Sequence, residues 1–188
     1  MSENQYRVML VDDEPLVLSA LRRVLAAPIR YEGRDYPLQV ETFDSPAAAL
    51  ERAGEGEPFD LVISDYRMPG MDGVAFLKAF MERQPDAARI ILSGYADLDG
   101  LIGAINEARI FRFLSKPWHD FDLTAAAAQA LAYRALLLQN RRLADAVRVA
   151  RGHISPEDYE RQRLEEESPG ITKVNWGPDR SVLLEPDE

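Results

Sequence analysis

The chain has 188 residues, of which 46% are hydrophobic and 29% charged, and this composition is typical of a folded globular protein. Its 22 basic and 32 acidic side chains give a net charge of -10, which argues against phosphate-backbone binding by the chain as a whole. The absence of cysteine excludes disulfides and thiolate chemistry. A polar amino terminus and the lack of a long apolar run predict a cytoplasmic protein with no signal peptide or membrane helix.

Short apolar runs alternate with longer amphipathic stretches over the first part of the chain. The runs lie at 6–11, 38–43, 59–64, 89–92 and 111–114. Three of them are apolar almost throughout and contain β-branched residues, as expected of parallel strands covered on both faces. Helix start signals stand between them at Pro15, Ser45, Asp72 and Asp97. This alternation predicts an α/β fold with a doubly wound, five-stranded parallel sheet.

Residues 28–37 make a longer connection than a helix and the next strand require. They fit either a small hairpin that extends the second strand or a plain exposed loop. We assign no function to this segment.

Residues 120–151 contain neither glycine nor proline and form one continuous helical pattern. One asparagine and several apolar or aromatic residues recur at heptad spacing, at Tyr133, Leu136, Asn140, Leu143, Val147 and Ala150. A lone asparagine at an a position favours a parallel two-stranded coiled coil, so a homodimer through residues 120–151 is predicted. The alternative is a terminal helix that packs on its own domain.

Residues 152–188 make an acidic tail of different character. A helix is predicted to begin at Ser155, and two β-type runs flank a turn at residues 177–180, which indicates a small β-hairpin. The predicted organisation is therefore a domain at 1–119, a long helix at 120–151 and a tail at 152–188.

Ionisable and hydroxyl side chains stand where the predicted strands end. Asp12 and Asp13 follow the first strand, Asp65 the third, Ser93 the fourth and Lys116 the fifth. In open parallel sheets, ligands bind beyond the carboxyl ends of the strands, where the strand order reverses. With the order 2-1-3-4-5, the first and third strands are neighbours, so the three aspartates are expected to converge.

Three converging carboxylates repel one another, and either a proton or a cation must relieve that repulsion. A cluster that offers only oxygen ligands suits Mg²⁺. A carboxylate held between a hard dication and the Lys116 ammonium can attack phosphorus, while the cation, the lysine and a hydroxyl neutralise the phosphoryl oxygens. The pattern therefore predicts an aspartyl-phosphate site.

These residues resemble the receiver domain of two-component response regulators. The motifs that carry the resemblance are Val-Asp-Asp-Glu at 11–14, Ser-Asp-Tyr-Arg-Met-Pro-Gly-Met-Asp-Gly at 64–73, Ser-Gly at 93–94 and Lys-Pro at 116–117. The resemblance implies a flavodoxin-like sheet and a phosphoryl group supplied by a sensor histidine kinase or a phosphotransfer protein. It also implies a downstream protein effector, whose identity the sequence does not give.

The resemblance also implies roles for individual residues. Asp65 would be the phosphoacceptor, and Asp12, Asp13 and Asp65 would hold Mg²⁺ together with the backbone carbonyl of Arg67. Lys116 would contact the phosphoryl group.

Two further residues would form the conformational switch. Ser93 would move toward the phosphoryl group, and Phe113 would swing inward behind it. Because Phe113 lacks the hydroxyl of the tyrosine often found at this position, its two states can differ only in packing. The peptide between Lys116 and Pro117 is expected to be cis.

Other functions remain open at this level. A phosphatase of the haloacid-dehalogenase type also uses Asp, Ser, Lys and Mg²⁺, but its two acids are spaced D-x-D after the first strand, whereas Asp12 and Asp13 are adjacent. We therefore expect a switch and not an enzyme.

The segments 93–97 and 111–118 resemble receivers attached to cyclic-di-GMP phosphodiesterases of the HD-GYP kind and to some transcriptional activators. Either a complete regulator or the receiver of a longer protein fits the sequence. No basic helix-turn-helix follows the receiver, so direct binding to nucleic acid is not expected.

Overall fold

The computed structural model describes residues 5–94, 108–152 and 155–167. The helix predicted to begin at Asp97 and the hairpin predicted around residues 177–180 lie outside these ranges. The chain divides into two compact units after Leu138.

The described helices and strands follow one another in the predicted alternation. In chain order they are β1 (Tyr6–Val11), α1 (Pro15–Val24), β2 (Ile29–Tyr31), β3 (Arg34–Tyr36), β4 (Leu38–Phe43), α2 (Pro46–Ala53), β5 (Leu61–Asp65), α3 (Gly73–Arg83), β6 (Ala88–Gly94), β7 (Arg112–Lys116), α4 (Asp120–Ala150) and α5 (Pro156–Glu167). The five predicted strands of the main sheet are β1, β4, β5, β6 and β7.

The main sheet is parallel throughout and has the order β4-β1-β5-β6-β7, which confirms the predicted doubly wound topology. The register aligns Val11 with Ser64, Asp65 with Leu92 and Gly94 with Lys116, so these strands end at one edge. Apolar clusters cover both faces of the sheet. This burial on both sides explains why the three inner strands, β1, β5 and β6, consist of nearly continuous apolar runs.

Local sequence sets where the helices begin. Pro15 and Pro46 are the first residues of α1 and α2, where a missing N–H costs nothing and the fixed φ suits a helix. The side chain of Asp72 caps α3 by accepting a hydrogen bond from the Ala75 amide at 2.8 Å. Ser45 stands at the N-cap of α2, but its side chain makes no capping hydrogen bond.

Residues 28–37 contain a hairpin, one of the two alternatives that the sequence allowed. Strands β2 and β3 form a separate antiparallel pair and do not extend the main sheet. Glu32 (φ 48°) and Gly33 (φ 75°) give the two-residue turn its left-handed backbone. Ile29 and Tyr36 are buried in the core, and the Gln129 amide nitrogen donates to the Tyr31 hydroxyl at 3.1 Å, so the hairpin packs on α4.

The long helix α4 has two kinds of surface. Leu123, Leu131 and the alanines near them are buried in the core of the first unit, and Arg134 pairs with Asp60 at 2.7 Å. Farther along, Leu143 and Val147 are about half exposed. The first part of the helix thus packs on its own domain, while the later apolar positions stay open to solvent. None of the described helices combines the length and apolarity that crossing a bilayer requires.

Candidate functional site: an acidic cluster at the edge of the sheet

Four of the residues predicted to form the site lie together at the carboxyl edge of the sheet. Asp12 and Asp13 directly follow β1, Asp65 is the last residue of β5, and Lys116 is the last residue of β7. One carboxylate oxygen from each aspartate lies within 4.8 Å of the other two. The reversal of strand order between β1 and β5 is what brings these distant parts of the sequence together.

Lys116 links two of the three carboxylates. Its ammonium nitrogen Nζ lies 2.6 Å from Oδ2 of Asp12 and 2.5 Å from Oδ1 of Asp65. Asp12 is fully buried and Asp65 is only 5% exposed, whereas Asp13 is exposed. The cluster therefore has an inner part fixed by the lysine and an outer carboxylate that faces solvent.

Backbone amides orient the two inner carboxylates. The Glu14 amide donates to Oδ1 of Asp12 at 2.9 Å, and the Arg67 amide donates to Oδ2 of Asp65 at 2.9 Å. Each inner carboxylate thus accepts one bond from the lysine and one from a backbone amide two residues ahead. Charge-assisted bonds of this kind are short and directional, so they fix the rotamer of each aspartate.

The pKa of Asp65 is raised above the ordinary value of 3.8, and burial is the main cause, with the nearby charge of Asp12 adding to it. The hydrogen bonds and charge of Lys116 and the Arg67 amide act in the opposite direction. For Lys116, burial lowers the pKa, but the bonds and charges of Asp12 and Asp65 outweigh it, and the pKa is raised above 10.5. Two carboxylates act on the one lysine, so their charges outweigh the effect of burial on its pKa. Asp65 shares that lysine with Asp12, so the lysine does not offset the effect of burial on the pKa of Asp65.

The charges in the cluster fit a bound dication. Among the described residues, three carboxylates share the site with one ammonium group, so additional positive charge stabilises their ionised forms. The side chains of the cluster offer only oxygen ligands, without imidazole or thiolate, and this donor set suits Mg²⁺. An open cleft of about 540 Å³ lies beside Asp13, lined by Asp13, Tyr66, Arg67, Met68, Pro69 and Asp72.

The predicted switch residues lie on the neighbouring strands. Ser93, which is 1% exposed, stands one position beyond Leu92, the residue that pairs with Asp65. Its hydroxyl donates to the carbonyl of Gly94 at 3.1 Å. Phe113 lies on β7 with 36% of its surface exposed. The peptide between Lys116 and Pro117 is cis, as the resemblance implied.

Sequence reasoning missed the contributions of the backbone amides to this site. The amides of Glu14 and Arg67 hold the aspartates, and residue type alone gives no sign of such bonds. Gly73 is the last residue of the motif at 64–73 and had no predicted role, yet it is packed directly against the carbonyl of Asp65. A glycine at the start of a helix, one residue after its cap, is the only signal that pointed to this contact.

Comparison with known proteins agrees with this geometry. Residues 8–128 match the family described as the response regulator receiver domain. Because that match covers more than half of the chain, the chain belongs to this family, whose members accept phosphoryl groups in two-component signalling. The phosphatase alternative is therefore not supported.

Two curated relatives of this chain are transcriptional regulators by name. The chain is 39% identical over 133 residues to the hydrogenase transcriptional regulatory protein HoxA of Cupriavidus necator, a match that covers 69% of the chain and 26% of HoxA. It is 33% identical over 126 residues to the DNA-binding transcriptional regulator NtrC of Escherichia coli, covering 67% of the chain and 25% of NtrC. The chain thus matches only about a quarter of the length of these two proteins.

One solved structure shares nearly its whole length with the chain. It is the signal receiver domain of an HD domain-containing protein from Pseudomonas fluorescens Pf-5, with 33% identity and a TM-score of 0.62. The alignment covers 70% of the chain and 98% of that domain. That receiver belongs to an HD domain-containing protein, whereas the two relatives are transcriptional regulators by name.

The raised pKa of Asp65 predicts how stability depends on pH in buffer free of divalent cations. A carboxyl group whose pKa is higher in the folded than in the unfolded state favours folding while protonated, and this contribution is lost as the pH rises through the folded-state pKa. Asp65→Asn should therefore be more stable than wild type at neutral pH. The difference should shrink as the pH falls toward 3.8.

Urea unfolding of both proteins across this pH range, with a chelator present, measures the difference. Asp44→Asn, which replaces an exposed aspartate outside the cluster, is the matched control. Equal stability of Asp65→Asn and wild type at neutral pH would contradict the raised pKa.

Proposed function

We propose that Asp65 accepts a phosphoryl group from a sensor histidine kinase or a phosphotransfer protein, with Mg²⁺ as the cofactor. The observation that carries the proposal is the position of the Lys116 ammonium between Asp12 and Asp65, beside the exposed Asp13. Asp12, Asp13, Asp65 and the backbone carbonyl of Arg67 are proposed to hold the cation. Family membership supports the reaction class, and the geometry supports the choice of residues.

The proposed reaction is nucleophilic displacement at phosphorus. An oxygen of the Asp65 carboxylate forms the new O–P bond, while the bond between phosphorus and the donor atom breaks and the donor keeps the electron pair. Mg²⁺, when bound, offsets negative charge on the transferring phosphoryl oxygens. Lys116 keeps its proton and supplies a second positive charge, and the Arg67 amide holds the acceptor carboxylate in place.

Ser93 and Phe113 are proposed to carry the change away from the acceptor. The Ser93 hydroxyl would exchange its bond to the Gly94 carbonyl for one to the phosphoryl group, and Phe113 would turn inward from its partly exposed position. Phosphorylation is then a local change of charge that acts on a two-state element. Because Phe113 has no hydroxyl, the inward state would be stabilised by packing alone.

The output is proposed to pass through α4 to a downstream protein, and the receiver itself is proposed not to be an enzyme. The chain is proposed to act in the cytoplasm, where a kinase can reach it, without binding nucleic acid or membrane directly. HoxA and NtrC are transcriptional regulators by name, and the Pseudomonas domain comes from an HD domain-containing protein. The alternative is that this chain is the receiver of a longer protein of one of these two kinds.

The division into 1–119, 120–151 and 152–188 stays a prediction.

Incubation with acetyl phosphate and Mg²⁺ tests the acceptor. We expect wild-type protein to gain the mass of one phosphoryl group, in a linkage that is cleaved by hydroxylamine, because the carboxylate forms an acyl phosphate. Asp65→Asn should gain none, and a chelator should prevent the gain in wild type. Intact-mass spectrometry measures the product.

Asp72→Asn is the matched control, because an asparagine can still cap α3 and the position lies beside the same cleft. It should be modified as wild type is. Modification of Asp65→Asn to the wild-type extent would assign the acceptor elsewhere.

We also propose that the chain forms a parallel homodimer through α4. The apolar side chains at Leu136, Leu143 and Val147 are about half exposed, and Asn140 lies among them at an a position, where two copies can pair asparagine with asparagine. Tyr133, the first predicted seam position, instead contacts Phe111 of its own chain, with ring centroids 5.4 Å apart. The proposed seam therefore begins after Tyr133.

A pair of identical substitutions tests the dimer. Val147 lies at an a position and Val149 two positions later at c, so Val147→Glu places like charges in the seam whereas Val149→Glu does not. Light scattering should give the mass of a dimer for wild type and Val149→Glu, with and without beryllofluoride, and a lower mass for Val147→Glu. A monomeric wild type, or equal effects of both substitutions, would contradict the proposal.

A further inference from the structure

The first residue of α3 lies against the backbone of the proposed acceptor. A Cβ atom placed on Gly73 would stand 2.0 Å from the carbonyl oxygen of Asp65, 2.9 Å from its carbonyl carbon and 3.0 Å from the Cα of Tyr66. These neighbours are backbone atoms, which cannot rotate away as the end of a side chain can. Any residue other than glycine at position 73 must therefore displace either α3 or the end of β5.

Steric contact, and not backbone conformation, is what requires glycine here. Gly70 in the same loop has a φ of 80°, a conformation that favours glycine, but a Cβ there would meet nothing within 4 Å. Gly73 is helical, and its constraint comes from the approach of the Asp65 and Tyr66 backbone. Comparing the two positions therefore separates the effect of loop conformation from the effect of contact with Asp65.

The same residue closes the loop that carries the acceptor. The Gly73 amide donates to the Tyr66 carbonyl at 2.8 Å, so residues 66–73 return to the point where they leave β5. The Tyr66 amide donates to the Leu92 carbonyl at 2.8 Å, and the Arg67 amide donates to the Asp65 carboxylate at 2.9 Å. One closed loop therefore joins Gly73, the Asp65 backbone and the Asp65 carboxylate.

Helix α3 cannot readily move away from this contact. Phe76, Leu77 and Phe80 are fully buried, and the Asp72 cap fixes the first turn. The carbonyl of Asp65 has a second neighbour, because the Ser64 hydroxyl donates to it at 2.9 Å. A displacement caused at position 73 would therefore fall on the peptide that follows Asp65.

We propose that Gly73 is a positioning residue for phosphoryl transfer: its missing side chain lets α3 approach closely enough to set the Asp65 carboxylate and the Arg67 carbonyl in register with Lys116. The inference rests on the proposed role of Asp65 as acceptor. It adds a residue that touches neither the phosphoryl group nor the cation. Gly73 acts only through the backbone that it contacts.

Gly73→Ala and Gly70→Ala provide the comparison. With saturating acetyl phosphate and Mg²⁺, Gly73→Ala should lower the rate constant of Asp65 phosphorylation by about 10²-fold, the scale of loss expected when a reacting group is misplaced by about 1 Å. Titration calorimetry should also show weaker Mg²⁺ binding. Gly70→Ala strains the same loop but adds no contact with Asp65, so it should keep the wild-type rate constant and Mg²⁺ affinity.

The rate constant distinguishes positioning from general loss of stability. Partial unfolding would lower the amount of protein that reacts, whereas a misplaced acceptor lowers the rate constant of the folded chain. Should Gly73→Ala fail to fold, Asp72→Ala is compared with Asp72→Asn. Both remove the charge, but only Asp72→Ala removes the cap of α3, and it should react more slowly.

Equal rate constants for Gly73→Ala and wild type would overturn this inference and leave the proposed function intact. The same holds for equal rates of Asp72→Ala and Asp72→Asn. Absence of an acyl phosphate in wild type would instead overturn the proposed function, and the inference with it.

Discussion

Repulsion among three carboxylates at one edge of the sheet is the constraint on which the rest of the site depends. Asp12, Asp13 and Asp65 lie close enough together to bind one cation. In the part of the chain that the structure describes, one ammonium group, that of Lys116, lies between the two buried carboxylates. The arrangement is costly for folding, since burial already disfavours the charged form of Asp65. A bound dication would offset the excess negative charge of the cluster, and this need is the basis of the proposed Mg²⁺-dependent phosphoryl transfer.

The parallel sheet supplies this cluster at low cost in local structure. Each functional side chain stands at or just after a strand end, where the chain leaves the apolar layers on both faces and turns toward a helix. The backbone then does the fine positioning, through the Arg67 amide on the Asp65 carboxylate and the approach of Gly73 to the Asp65 carbonyl. Topology thus places the charged groups, and a backbone hydrogen bond and a close contact that only glycine permits orient the acceptor.

The predictable features were those that a local pattern encodes. Continuous apolar runs predicted the inner strands β1, β5 and β6, because burial on both faces produces such runs, and the aspartates at the ends of β1 and β5 predicted the site. The sequence did not decide between a hairpin and a loop at residues 28–37, because Tyr36 is buried against other elements and its own segment does not indicate that burial. Heptad spacing could not separate the buried start of α4 from its exposed continuation for the same reason. The contact of Gly73 with Asp65 joins two elements through backbone atoms, and the glycine itself does not show which element it contacts.

Titration calorimetry with Mg²⁺ tests the central claim most directly, because it measures how tightly the carboxylate cluster binds a dication and needs no partner protein. One Mg²⁺ per chain should bind to wild type and to Asp44→Asn, whose substituted residue is exposed and outside the cluster. Asp13→Asn should bind far more weakly, because it removes the carboxylate that faces solvent. Undetectable binding to wild type, or unchanged binding to Asp13→Asn, would contradict the account.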